Sequence, residues 1–565
     1  MARRSLNRST PATIAPREEA LPVEPTWLRP AILALAALVL MAWFSVDVSD
    51  PDTWWHLKTG QFILQNHTLP APDQFAFTTY LKKSSYAGEE VTRYFNLTHE
   101  WLAQAFLYLT YAAGGYAGLV LMRSLLLTAF CGIVGLVAHR RSGSFHLAVA
   151  AALAAGTVAW QVRTDRPQLI TFVFLAATVA ILEYRRWLWV LPPMFLIWAN
   201  CHGGFFVGWL ALFAYAAEAL FLRFRGKPVP GDRQIWLVTA ASVLVSGLNP
   251  NWFHVIPVMV SYRYSVMQAS LWEWQYPAPW PPSPFSIMLA AALVVMVWMR
   301  RRTRPVDWLL LFGFGTLSVM AVRNIVLAGL VCPFLIAAYL PWKKKVPLFA
   351  EFLVAVLLLV GAGVRIVQGR AFQFHAADWK YAPGAADFLL QHHISGRMFN
   401  TYELGGYLIW RLWPQEKVFI DGRALNEAVF LDYQRMAYNA DTTNGKSGEE
   451  LLKEYGIEVI VMDGFEYTSG QIYLLPAALS DPKQTEWKLV YQDDQAVIYM
   501  RHPPPDVPVL NSFDALAAME SQCRLHLEND PGHPLCAKSL MQLFARIGDT
   551  VRARRWAAIS AKYPE

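Results

Sequence analysis

The sequence predicts a polytopic α-helical membrane protein of about 11 transmembrane helices, with a C-terminal extracytoplasmic α/β domain and a short helical tail. Three observations predict it. The 565 residues are 55% hydrophobic and only 16% charged, against roughly a quarter charged in soluble proteins. Apolar runs follow one another at lengths near the ~20 residues that cross a bilayer. Basic clusters fall at alternate loops between those runs, so one assignment places all of them in the cytoplasm. The net charge of +7 is no nucleic-acid signal, because the basic residues sit at the ends of apolar runs.

In chain order, residues 1–30 form a cytoplasmic basic tail with Arg3, Arg4, Arg8 and Arg17. The run that follows has no small-residue cleavage site and reads as a retained span. Candidate spans are 31–46, 115–138, 144–160, 167–184, 187–200, 203–223, 234–248, 284–299, 306–321, 325–341 and 346–366, within a membrane domain of 31–369. Arg140–Arg141, Arg185–Arg186, Arg223/Arg225/Lys227, Arg300–Arg302 with Arg304, and Lys343–Lys345 mark the cytoplasmic loops. The outward loops are then 47–101, 163–166, 200–204, 249–284 and 323–324, and the chain beyond 370 is extracytoplasmic. A transporter places polar groups near the midplane and on both faces. Polar residues gathered on one face point instead to an enzyme or receptor at the outer surface.

Residues 370–501 read as an α/β domain. Short strands are expected at 417–420, 457–462, 487–491 and 496–500, with helices at 385–392 and 448–455. No glycine-rich phosphate loop is present; Gly405–Gly406 is a turn signal. The proline-rich HPPPDVP at 502–508 opens a tail, 502–565, whose helices resemble one tetratricopeptide repeat. A single repeat cannot bury its own face, so it packs on neighbours or caps a partner. Cys131, Cys201 and Cys332 are core residues; Cys523 and Cys536 can pair in an oxidising compartment.

The first outward loop, 47–101, carries the most informative residues. Asp47, Asp50 and Asp52 follow the first span directly, then Trp54, Trp55 and His56. Carboxylates at a membrane boundary are costly unless they meet water, a cation or a polar substrate. They can hold a cation, orient an acceptor or take a proton. The competing reading is capping, with Asp50 at N-cap and Pro51 at N1. His56 shares a helix face with Asp52. His99 and Glu100 close the loop, where Thr98 can cap the next helix and Glu100 can serve its dipole. Asp50, Asp52 and His56 are also candidate ligands for a divalent metal ion, the one cofactor considered. Arg163 and Arg166 flank Asp165, and Arg323 sits on a tight hairpin; guanidinium grips phosphate in a bidentate manner, or snorkels to headgroups. His202 precedes a glycine pair that breaks the helix. Trp272 and Glu273 stand in a tryptophan-rich loop suited to sugar rings, although interfacial belts share that composition.

Several strings carry a family resemblance: DPDTWWHLKTG, P-x-x-D-x-F-x-x-T from Pro70 to Thr78, THEWL, RPQL, WANCHGGFFVG, RMFNTYELGGYLIW and VFIDGR. Together they resemble a bacterial group of multi-span proteins that is similar in layout to the GT-C glycosyltransferases. Oligosaccharyltransferase catalytic subunits, protein O-mannosyltransferases and the aminoarabinose transferase share that fold. The N-glycosylation signature W-W-D-Y-G is absent from the sequence. The resemblance implies a bacterial inner-membrane enzyme using a polyprenyl-phosphate-linked sugar donor and an extracytoplasmic glycan, lipid or protein acceptor. It implies inverting displacement, with Asp50 first, then Asp52 or Asp47, activating the acceptor. Arg166, supported by Arg163 or Arg323, would neutralise the leaving phosphate. His56, His99, Glu100, His202, Trp272 and Glu273 complete the expected substrate contacts. The rival readings are a polymer ligase of the cell envelope and a non-enzymatic assembly or binding module.

Overall fold

The computed structural model describes residues 25–228, 230–342, 346–423, 425–440 and 445–563. Arg3, Arg4, Arg8, Arg17 and Lys343–Lys345 lie outside the described residues. The chain opens with α1 (Leu28–Phe44), α2 (Thr53–Asn66), α3 (Glu89–Thr98), α4 (Trp101–Ser142), α5 (Phe145–Ala159), α6 (Gln168–Tyr184), α7 (Leu191–Cys201), α8 (Phe205–Phe224) and α9 (Asp232–Val245). The short α10 (Val255–Ser261) and α11 (Val266–Ser270) precede α12 (Pro284–Trp298), α13 (Pro305–Met320), α14 (Ile325–Tyr339) and α15 (Leu348–Val367). Each expected apolar run is therefore helical. Among the described residues five stretches are long and apolar enough to cross a membrane: Glu89–Ser142, Phe145–Val162, Phe205–Phe224, Val322–Tyr339 and Leu348–Val367. Shorter apolar helices cover Leu28–Phe44, Gln168–Tyr184, Leu188–Cys201, Pro284–Trp298 and Pro305–Met320. The span expected at 115–138 is the second part of α4, which breaks at Gly115, φ 56°. That left-handed backbone favours glycine.

Beyond α15 come α16 (Pro383–Gln391), β1 (Met398–Asn400), α17 (Tyr402–Leu412), α18 (Glu427–Ala437), α19 (Gly448–Glu454), β2 (Val459–Met462), α20 (Leu475–Leu479), β3 (Lys488–Gln492) and β4 (Val497–Met500). The strands form one sheet in the order β1-β2-β4-β3. β1 and β2 are parallel, Met398 opposite Val459, while β4 runs antiparallel to β2 and β3. The strand expected at 417–420 is absent from this sheet. Val418 instead bridges Ala76 of the first loop, giving and taking hydrogen bonds at 3.1 Å with Phe75 and Phe77. An apolar run alone does not say which edge it will join.

The sheet unit shares a core with the first loop. Trp54, Trp55, Leu57, Phe62 and Phe75 are buried together with Tyr381, Leu404, Tyr407, Leu408 and Ile498. Three tail helices follow: α21 (Asp514–Asn529), α22 (Leu535–Arg546) and α23 (Thr550–Ser560). The tail packs on its neighbours. Gln522 accepts the Gly464 N–H at 2.7 Å, Trp556 donates to Glu520 at 2.7 Å, and Cys523 is disulfide-bonded to Cys536.

Candidate active site

One buried arginine fixes the start of the first loop. Arg123 on α4 donates to the carbonyls of Phe44 (3.0 Å), Val46 and Asp47 (3.2 Å), and pairs with Asp165 at 2.5 Å. This ties the exit of α1 to the turn before α6. Asp47 thus serves through its backbone, its N–H meeting Gln373 at 3.2 Å, and its side chain does not line the cavity described below. Asp50 does not cap a helix that begins at Pro51. The helix begins at Thr53 with Asp52 at N-cap, and the Asp50 carboxylate accepts the Asp52 N–H at 3.0 Å. Its other oxygen accepts Arg166 Nε at 2.6 Å. Asp52 meets Arg166 Nη1 at 2.9 Å.

The RTDR turn divides its duties. Asp165 pairs with Arg123, Arg166 faces the two aspartates, and Arg163 stacks on Trp160 with its guanidinium carbon 3.5 Å from the ring centroid. Arg163 therefore stays off the cavity. From the 249–284 loop, Glu273 bridges two guanidiniums, Arg166 at 3.3 Å and Arg323 at 3.0 Å. Trp274 lies under Arg323, 4.7 Å from its guanidinium carbon. Trp272 turns outward and is 57% exposed; its neighbour Trp274 takes the wall.

A second cluster surrounds Glu100, which stands at the N-cap of α4, while Thr98 bonds back to Tyr94 instead of capping. His99 Nε2 lies 3.3 Å from the Glu100 carboxylate, His56 Nδ1 3.6 Å and His202 Nε2 3.6 Å. His202 is set by the glycine-pair break: its Nδ1 accepts the Gly204 N–H at 2.9 Å and meets Thr171 at 2.8 Å. Nε2 is thereby left to face Glu100. The expected metal candidates are separated, Asp50 and Asp52 facing Arg166 while His56 faces Glu100. Among the described residues no group of three or more His, Cys, Asp or Glu is disposed to hold one metal ion.

The two clusters share one cavity of about 110 Å³. Asp52, His56, His99, Glu100, Arg166, His202, Glu273 and Arg323 all line it. Trp274, one of the tryptophans expected in the loop of Glu273, lines it too, as do Asn96, Gln168, Tyr262, Gln268, Gly422 and Arg423, which were missed from sequence. Their signals were partial. Tyr262, Gln268 and Trp274 share the loop of Glu273, while Gly422 and Arg423 end the VFIDGR string. Arg423 is held by Asp421 (2.6 and 2.7 Å) and by Asp73 of the first loop (2.7 and 3.3 Å).

Burial and charge set the protonation states. Burial would raise Asp50, but the Arg166 charge and hydrogen bonds outweigh it and hold the carboxyl below its ordinary range. Burial, opposed by Arg166 and reinforced by the Asp50 charge, pushes Asp52 up to about 7. Burial, against the pull of Glu100, lowers His56 to about 4 and His202 to about 3. Asp50 and Glu100 are thus held as carboxylates, Asp52 is poised near neutrality, and His56 and His202 are neutral imidazoles.

No protein-family model matches the sequence, and no curated protein matches it. Solved structures are similar in fold. The oligosaccharyltransferase of Archaeoglobus fulgidus tethered to an acceptor peptide containing the NVT sequon is 11% identical, with a TM-score of 0.54 over 86% of this chain and 75% of that one. The same archaeal enzyme with an inhibitory peptide and a dolichol-phosphate is 11% identical, with a TM-score of 0.53 over 88% of this chain and 77% of that one. At this identity the likeness is one of fold, and it agrees with the GT-C-like layout expected from the sequence.

Proposed function

We propose that the protein is an integral membrane glycosyltransferase that moves a sugar from a polyprenyl-phosphate-linked donor to an extracytoplasmic acceptor. The observation that carries this reading is the bridging of Arg166 and Arg323 by the Glu273 carboxylate, beside Asp52 in one cavity. Two guanidiniums already sharing one carboxylate form an anion seat, and a lipid phosphate fits it with better bidentate geometry. The fold supports a lipid-linked donor in kind, since one similar structure holds a dolichol-phosphate and a peptide.

In this mechanism the phosphate displaces Glu273 from the guanidinium pair. The acceptor hydroxyl attacks the anomeric carbon from the face opposite the phosphate, and its proton passes to Asp52. The bond between the anomeric carbon and the phosphate oxygen breaks, and the released polyprenyl phosphate keeps the electron pair against Arg166 and Arg323. The sugar leaves with inverted configuration. Asp52 is preferred to Asp50 as the base because Asp50 is spent on Arg166 and the Asp52 N–H, whereas Asp52 lines the cavity. A base with a pKa near the working pH transfers protons best. Asp50 holds Arg166 in place. The site end of the bundle faces outward, and the end carrying Arg140, Arg141, Arg185 and Arg304 faces the cytoplasm.

The test is purified protein in nanodiscs with a panel of synthetic polyprenyl-phosphate sugars. Release of polyprenyl phosphate, lost in Asp52→Asn, is the expected result. Folded protein that neither transfers nor hydrolyses any donor in the panel overturns the reading.

A further inference from the structure

Residues 418–423 and 425–427 come from the sheet unit yet are stitched into the loops that build the cavity. Arg93 Nε donates to Leu425 O at 2.7 Å and Asn96 to Arg423 O at 3.2 Å. Asn426 donates to the carbonyls of Thr79 (3.2 Å) and Lys82 (3.0 Å). Glu427 accepts from Ser265 at 2.7 Å and from the Met267 N–H at 3.2 Å. At the centre of this segment Gly422 lies against the Asp52 side chain. A methyl group on Gly422 would overlap Asp52 Oδ1 and stand 2.9 Å from its Cγ. The helix α17 braces the contact from behind: a methyl on Gly406 would stand 2.6 Å from Pro51 O and 3.3 Å from Trp55, and one on Gly405 would run into Ile420 O. Gly422 is not among the glycines with left-handed backbone. An alanine there keeps its backbone and intrudes chiefly on the space that Asp52 occupies, with a lesser contact at Trp55 Nε1, 3.3 Å away.

We propose that Gly422 is a positioning residue for Asp52: the sheet unit completes the catalytic cavity by pressing the Gly422 backbone against that carboxylate and fixing its second oxygen on Arg166. The consequence is that the membrane helices alone do not set the geometry of the base. This proposal rests on the reading of Asp52 as the base for its kinetic part only; the placement of the carboxylate is tested without substrate.

The test uses the full-length protein in nanodiscs and compares Gly422→Ala, Asp52→Ala and the double variant. Carbodiimide labelling of Asp52, followed by mass spectrometry across pH, reports its protonation. The labelling midpoint is expected to shift by at least one pH unit in Gly422→Ala, because the displaced carboxyl loses both the burial that raises it and the Arg166 charge that lowers it. Thermal melting is expected to show Gly422→Ala lowering the Tm in the parent background and lowering it much less in the Asp52→Ala background, where only the Trp55 contact at 3.3 Å remains. With an active donor, kcat falls about 100-fold at a KM within threefold of the parent, the scale of a misplacement of about 1 Å. An unchanged labelling midpoint, or an equal Tm loss in both backgrounds, overturns the proposal. If Gly422→Ala does not fold, the folding of the double variant decides in the same way. Absence of transfer in the parent protein would bear on the proposed function and leave the labelling and melting results standing.

Discussion

Two buried ionic networks lie at opposite ends of the helical bundle, and they differ in one respect. At the end away from the cavity, Arg141 grips Asp307 through both nitrogens (2.9 and 2.8 Å) and reaches Glu183 at 3.2 Å. Arg304 meets Glu183 at 3.0 Å and Glu218 at 3.3 Å, Arg185 meets Glu218 at 4.0 Å, and Tyr215 donates to Glu183 at 2.6 Å. Three acids answer three guanidiniums there. At the cavity end, Asp50, Asp52 and Glu273 share Arg166 and Arg323, Arg423 is matched by two acids of its own, Asp421 and Asp73, and Glu100 sits among three histidines. The first network is balanced and closed, and it holds helices together. The second has a surplus of acid, an open volume of about 110 Å³ and a carboxyl poised near 7. Ion pairing by itself marks structure as often as function; an imbalance beside a cavity is what marks chemistry.

Substitutions sharpen that contrast. Arg166→Ala is expected to lower transfer per folded molecule by about 100- to 1000-fold, the range for losing one preorganised charge at a developing anion, and to lower the Tm as well, because it strands the buried Asp50 carboxylate. Arg163→Ala, three residues away and stacked on Trp160, is expected to stay within threefold. Asp307→Asn at the closed network should lower stability alone. It takes the bidentate partner from Arg141, which keeps Glu183 at 3.2 Å, and is expected to cost about 3 kcal/mol of stability, while kcat per folded molecule stays at the parent value. Chemical denaturation in detergent and initial rates measured on the same samples separate the two outcomes. Equal catalytic losses at both ends would erase the distinction.

The pH dependence is the next effect in size. Asp52 acts as a base only when ionised, and its pKa lies near 7. The rate should therefore be flat above about 7 and fall tenfold per pH unit below it, as initial rates across pH would show. Smallest of all, Trp272→Ala should leave the rate within twofold, since that ring faces away from the cavity.

Much of this contrast was legible in the sequence because it depends on local patterns. Apolar runs showed the helices, and the alternation of arginine clusters showed which loops share an end. Asp52, His56, Glu100, Arg166, His202, Glu273 and Arg323 do meet in one cavity. Side-chain assignment within a loop was less legible. Arg163 and Arg166 look alike in RTDR, and Trp272 and Trp274 look alike in WEW. Only packing against Trp160 or Arg323 tells them apart. The docking of 418–423 and 425–427 was not legible at all. Its partners, Asp73, Arg93 and Asn96, lie more than 300 positions away, and an apolar VFI followed by a charged turn reads as an ordinary strand.

The central claim is that Arg166 and Arg323 form the seat of a lipid phosphate. The most direct measurement is an electron cryo-microscopy map of the protein in nanodiscs with an added polyprenyl phosphate. Phosphate density within hydrogen-bond reach of both guanidiniums, with Glu273 released from them, is the predicted result. Phosphate bound elsewhere while Glu273 still bridges the two arginines would contradict the account.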